Sequence, residues 1–151
     1  MSIPQSWRSW LIAAALTFGA LPALWILWPS EPAPEITHHD RRSSSQAVAF
    51  RLVQLSDLHI QHFDVAEKAI VAQVQKLKPD LVVLTGDAID RVDALPVLRA
   101  FLAALGSVPV VAVPGNWEHW SGVDFRALEA MLLDRPNGRF LLNQQQSFAA
   151  K

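Results

Sequence analysis

Three short apolar runs constrain the fold of this 151-residue chain most: Phe50 to Leu55, Leu81 to Leu84 and Val108 to Val113. The middle run has no polar interruption, which is typical of a strand covered on both faces and therefore of a parallel sheet. Helical patterns separate the runs. Val65 to Leu77 places Val65, Ala69, Ala72 and Leu77 at helical spacing for one apolar face, and Leu95 to Leu105 is a second helix, ended by Gly106. Asp124 is placed to cap a third helix that runs to about Leu133. Asn137-Gly138 then makes a turn into a fourth strand, Phe140 to Leu142. This βαβαβα order predicts a mostly parallel sheet with helices on both faces.

Each of the first three strands ends on a polar segment: Ser56-Asp57-Leu58-His59, Gly86-Asp87 and Gly115-Asn116-Trp117-Glu118. Parallel strands end on one rim, so these groups can share a pocket. Asp57 and His59, one residue apart, offer a carboxylate oxygen and an imidazole nitrogen, a pair suited to Fe, Mn or Zn. Taken alone, Asp57 reads equally as a turn cap and His59 as a loop residue. Asp87 follows a glycine, which permits close backbone approach, and its two oxygens can bridge two cations. Gly-Asp is also a common turn. Asn116 offers a neutral amide oxygen to a hard cation. His119 reads as a proton donor, a ligand or a surface residue. Asp90 and Asp93 read as turn and cap residues, and His62 as a loop residue.

Composition narrows the rest. The chain has no cysteine, which excludes disulfides, Cys-ligated zinc, iron–sulfur clusters and thiol nucleophiles. A net charge of -1 gives no indication of a nucleic-acid partner. Hydrophobic residues make up 51% of the chain and the mean hydropathy is +0.20, the excess lying at the amino end. Leu11 to Trp28 is uncharged and largely apolar, flanked by Trp7 and Trp10 on one side and ending on Trp25 and Trp28. That pattern predicts a single membrane-spanning helix with interfacial tryptophans, kinked at Pro22. The alternative is a cleaved signal peptide, but the bulky Trp25 to Trp28 end offers no small-x-small cleavage site. Arg8 lies closer to the span than Arg41 and Arg42, which predicts an extracytoplasmic carboxyl-terminal domain. The predicted organisation is a signal-anchor segment over 1–28, a Pro- and Ser-rich linker over 29–47 and a folded domain over 48–151. His38-His39-Asp40 falls in the linker and is read as solvated.

The three motifs are weak singly and specific together: Asp-x-His, then Gly-Asp with Asp87 28 residues after His59, then Gly-Asn with Asn116 29 residues later. With Pro79-Asp80-Leu81-Val82-Val83-Leu84-Thr85-Gly86-Asp87 and Val113-Pro114-Gly115-Asn116, the chain from about Val48 to Leu142 resembles the calcineurin-like metallophosphoesterases. The resemblance implies an α/β fold, a four-layer αββα sandwich of which this chain supplies the amino-terminal half. It also implies two divalent ions (Mn, Fe or Zn), with Asp57 and His59 on one, Asp87 bridging both and Asn116 on the second. The implied activity is a hydrolase: a metal-bound hydroxide attacks phosphorus in a phosphoester or pyrophosphate bond. A phosphorylated small molecule or a lipid-linked phosphate is the expected substrate, and a membrane the expected partner.

Two departures shape this expectation. The family usually follows the Asn with a His that contacts phosphate and protonates the leaving group; here that position is Trp117, whose indole N–H only donates. Trp117 becomes a substrate-binding candidate and His119, two residues on, a candidate catalytic acid. Without an acid, anhydrides and aryl phosphates are the favoured substrates. The family also places further histidines in its second half, in a lone His and a Gly-His-x-His segment, and no histidine follows His119. The expectation is therefore a truncated domain with part of the ligand set, weak metal binding and little activity alone. The alternative reading is a membrane-tethered, non-catalytic binding or assembly module with the same half-fold.

Overall fold

A computed structural model describes residues 34–40 and 49–148. The predicted span Leu11 to Trp28 lies outside the described residues. Among those described, no helix is long and apolar enough to cross a membrane. Residues 34–40 form neither helix nor strand.

The domain is a four-stranded parallel sheet: β1 (Leu52–Leu55), β2 (Leu81–Thr85), β3 (Val110–Val113) and β4 (Arg139–Phe140), arranged in sequence order. The crossovers carry α1 (Val65–Leu77), α2 (Leu95–Ala104), α3 (Asn116–Trp120) and α4 (Phe125–Leu133), with a 3-10 turn at Val92–Ala94 before α2. The register aligns Val53 with Val82 and Val110, and Leu55 with Leu84, Ala112 and Phe140. These residues belong to one core with Val71 and Val74 of α1, Phe101 and Leu102 of α2, and Leu128, Met131 and Leu132 of α4.

The long helices therefore share one face, not both. A right-handed crossover always returns on the same side of a sheet whose strands run in sequence order; helices on both faces need a reversal of strand order. The other face carries Leu52, Gln54, Leu81, Val83, Thr85, Val111, Val113 and Arg139. Leu81 and Val111 are buried outside the main core, while Leu52 is 51% exposed. Gln54 donates to Thr85 Oγ1 across this face at 3.0 Å.

The inward face of α1 also differs from the expected one. Val65 and Ala72 are exposed, and the buried face is Val71 and Val74, with Ile70 packed against the core. Branched side chains gain more from burial than alanine, so the 70, 71, 74 stripe sets the rotation. Asp124 caps α4 as expected, accepting from the Arg126 N–H at 2.9 Å. Three strands are shorter than predicted: β1 begins at Leu52, β3 at Val110, and β4 ends at Phe140, while β2 runs one residue further, to Thr85.

Candidate metal centre at the carboxyl edge of the sheet

The three polar segments sit just past β1, β2 and β3, so they meet at the carboxyl edge of the sheet. The first two are joined by an extension of the parallel ladder. Asp57 N–H donates to Gly86 O at 3.2 Å, His59 N–H to Asp87 O at 2.9 Å, and Ile60 N–H to Ala88 O at 2.9 Å. Asp57, His59 and Asp87 each offer one donor atom, and these atoms lie within 4.8 Å of one another. Asp57 is exposed, His59 is half-buried and Asp87 is buried.

The backbone at all three is left-handed, with φ of 55° at Asp57, 44° at His59 and 54° at Asp87. For residues with a Cβ this conformation costs roughly 1–2 kcal/mol each. Such strain persists only where the surroundings over-determine it, and it concentrates at functional sites. Here the ladder hydrogen bonds of the same segments hold it.

The third segment is bound to the second by Glu118. Its carboxylate is only 3% exposed and accepts four backbone N–H groups. Oε2 takes Asp87 N–H at 2.9 Å and Gly115 N–H at 2.8 Å; Oε1 takes Ala88 N–H at 2.7 Å and Ile89 N–H at 3.2 Å. Two glycines allow the approach. A Cβ on Gly86, whose φ is 98°, would lie 2.6 Å from Gly115 Cα, and one on Gly115 would collide with the Asp87 carboxylate. Sequence reasoning gave Glu118 no role. The available signal was its position three residues after Gly115, where the N3 carboxylate of a helix reaches back to the N-cap N–H. That signal went with a helix, α3, where only a loop was expected.

Helix α3 sorts the remaining candidates. Trp117 N–H donates to Asp87 Oδ1 at 2.9 Å, and the Trp117 ring stands edge-on to His59 with centroids 5.6 Å apart. Asn116 lies between Gly115 and Trp117, both of which abut Asp87. His119 is two residues from Trp117, about 200° around a helix of 3.6 residues per turn. Its ring lies 4.8 Å from that of Phe125, also edge-on. The structure thus brings Asp57, His59, Asp87, Trp117 and the backbone of Asn116 to one place, and pairs His119 with α4. Asp90 accepts from Gln61 Nε2 at 3.1 Å, and Asp93 pairs with Arg91 at the surface.

Two carboxylates and an imidazole in this span form a donor set for a borderline divalent cation. Asp57 and Asp87 repel at such separation, and a cation between them removes the repulsion. Asp87 Oδ1 also accepts the Trp117 N–H, which restrains the carboxylate.

The family model described as calcineurin-like phosphoesterase matches residues 50–148. Among curated proteins, the metallophosphoesterase YkuE of Bacillus subtilis (strain 168), named as uncharacterized, is 33% identical over 97 residues. That match covers 56% of this chain and 33% of YkuE. The UDP-2,3-diacylglucosamine pyrophosphatase LpxG of Chlamydia trachomatis serovar D is 30% identical over 105 residues, covering 63% of this chain and 32% of LpxG. The aligned region is thus about a third of each relative's length. No solved structure matches the chain with significance.

Glu118→Gln replaces an acceptor by an NH2 facing backbone donors. It should cost about 2–3 kcal/mol in urea unfolding, because hydrogen bonds to a buried charge are lost and a donor is left unsatisfied. An unchanged midpoint would remove Glu118 from its joining role. Asp57→Gly and Asp57→Ala both delete the carboxylate, but only glycine accepts φ of 55° without strain. The glycine variant should be the more stable by about 1 kcal/mol; equal stabilities would show that the backbone relaxes at no cost.

Proposed function

The chain belongs to the calcineurin-like phosphoesterase family, and from that premise we propose that its carboxyl-edge site serves metal-dependent hydrolysis of a phosphoester or pyrophosphate bond. The observation that carries this reading is the convergence of Asp57, His59 and Asp87 donor atoms within 4.8 Å. Asp57, His59 and Asp87 are the residues that would hold the divalent ions, with Asn116 beside them. Mn, Fe and Zn all suit these donors. When bound, such ions polarise phosphoryl oxygens and lower the pKa of coordinated water toward neutrality.

The chain's own residues do the rest. Glu118 and the Trp117 N–H set the Asp87 carboxylate before any ligand arrives, so little reorganisation accompanies binding. Trp117 beside His59 presents an apolar wall to the substrate. Its N–H cannot protonate a departing alkoxide, and His119 points to Phe125. The site therefore favours leaving groups that need no proton, which supports a pyrophosphate or other anhydride over an alkyl ester. The similarity to LpxG, named as a UDP-2,3-diacylglucosamine pyrophosphatase, supports a lipid-linked phosphorylated substrate. The accompanying arrangement is a domain tethered by Leu11 to Trp28 on the extracytoplasmic side of a membrane; the support is the Trp-flanked apolar run and the position of Arg8.

The rival reading, a tethered binding or assembly module without chemistry, is favoured by Trp117 at the place of the family's usual histidine. Asp87→Asn separates the two. Calorimetric titration of the full chain with Mn2+ should show affinity falling at least about 10-fold, the scale seen even for lost outer-shell partners. Hydrolysis of an aryl phosphodiester should fall with it. Unchanged Mn2+ affinity in the variant would contradict the metal-centred reading.

A further inference from the structure

Trp117 is 40% exposed and Trp120 is 71% exposed. The two indoles lie 5.5 Å apart at 71°, and Trp117 stands at 90° to His59, 5.6 Å away. The three rings form a stepped row that starts at the candidate donor group and leads outward along α3. Single exposed apolar residues are ordinary, but adjoining exposed aromatics beside a polar site are the kind of patch that marks binding. The exposed Val65 and Val92 follow β1 and β2 at the same edge of the sheet.

We propose that Trp117 and Trp120 form an apolar corner that receives the aliphatic chain of a lipid-linked phosphate whose phosphoryl group lies at the Asp57–His59–Asp87 edge. This rests on the metal-centred reading above and adds to it the part of the substrate that is not phosphate. The ring angles leave no parallel slot that would sandwich a nucleobase: rings at 71° and 90° offer alternating faces and edges. A flexible chain packs against such a corner through dispersion contacts that need no coplanarity. A nucleic-acid ligand is disfavoured by the net charge of -1.

The test uses the full chain in lipid nanodiscs with Mn2+ and a water-soluble probe, octyl phosphate bearing a diazirine at the chain end. After photolysis, labelled peptides are mapped by mass spectrometry, which separates the Trp117–Trp120 peptide from the apolar run at Leu11 to Trp28. The expected result is label on the Trp117–Trp120 peptide at about tenfold or more over diazirine-octanol lacking phosphate, a ratio equivalent to ~1.4 kcal/mol. Trp117→Ser with Trp120→Ser should lose it, while Trp117→Phe with Trp120→Phe should keep most of it. Equal labelling by the octanol probe, label persisting in the serine pair, or label confined elsewhere would each overturn the proposal. Phosphate-dependent label at Trp117–Trp120 that ignores Asp87→Asn would support the chain site and remove the metal-centred reading.

Discussion

The Glu118 carboxylate holds this edge of the molecule together. Buried and without a cationic partner among the described residues, it is satisfied by four backbone N–H groups from two chain segments. Charge-assisted hydrogen bonds of this kind are about twice as strong as neutral ones, and a buried carboxylate deprived of them would be untenable. One side chain thereby fixes how far β3's loop stands from β2's loop. The Gly86–Gly115 contact requires that spacing, and the Trp117 N–H reaches Asp87 only because of it. The ladder between the β1 and β2 loops extends the same rigidity to Asp57 and His59.

This arrangement divides the acidic groups between two tasks. Glu118 is neutralised by backbone dipoles and has no lone pair to spare for a ligand. Asp57, His59 and Asp87 instead each bring one possible ligand atom within 4.8 Å of the others. The left-handed backbone at all three donors shows where the cost of that convergence is stored. The Trp117 ring lies beside His59, and the Trp120 ring lies beside Trp117.

Much of this was legible in the sequence because the signals were local. The uninterrupted Leu81 to Leu84 run became a central strand, Asp124 became the cap of α4, and α1 has the predicted limits Val65 and Leu77. The convergence of Asp57, His59 and Asp87 is legible because strand ends of a parallel sheet share one edge. What was not legible depended on tertiary context. Helix α3 has only five residues, and its Glu118 bonds to another loop, so no periodicity announces it. Its turn is what separates His119 from Trp117. Alanines at helical spacing in α1 mimic the inward stripe, which Ile70, Val71 and Val74 occupy. Helices on both faces were expected from the alternation of elements, but alternation does not encode strand order, and the order β1-β2-β3-β4 puts the helices on one side.

The central claim is that Asp57, His59 and Asp87 gather a divalent cation at this edge, and histidine is its most direct reporter. The chain has five histidines, of which only His59 belongs to the donor group. Paramagnetic Mn2+ added in substoichiometric amounts should broaden the His59 ring resonances first, ahead of those of His119, His38 and His39. Uniform broadening of all five rings, or earlier loss of His38 and His39, would contradict the account.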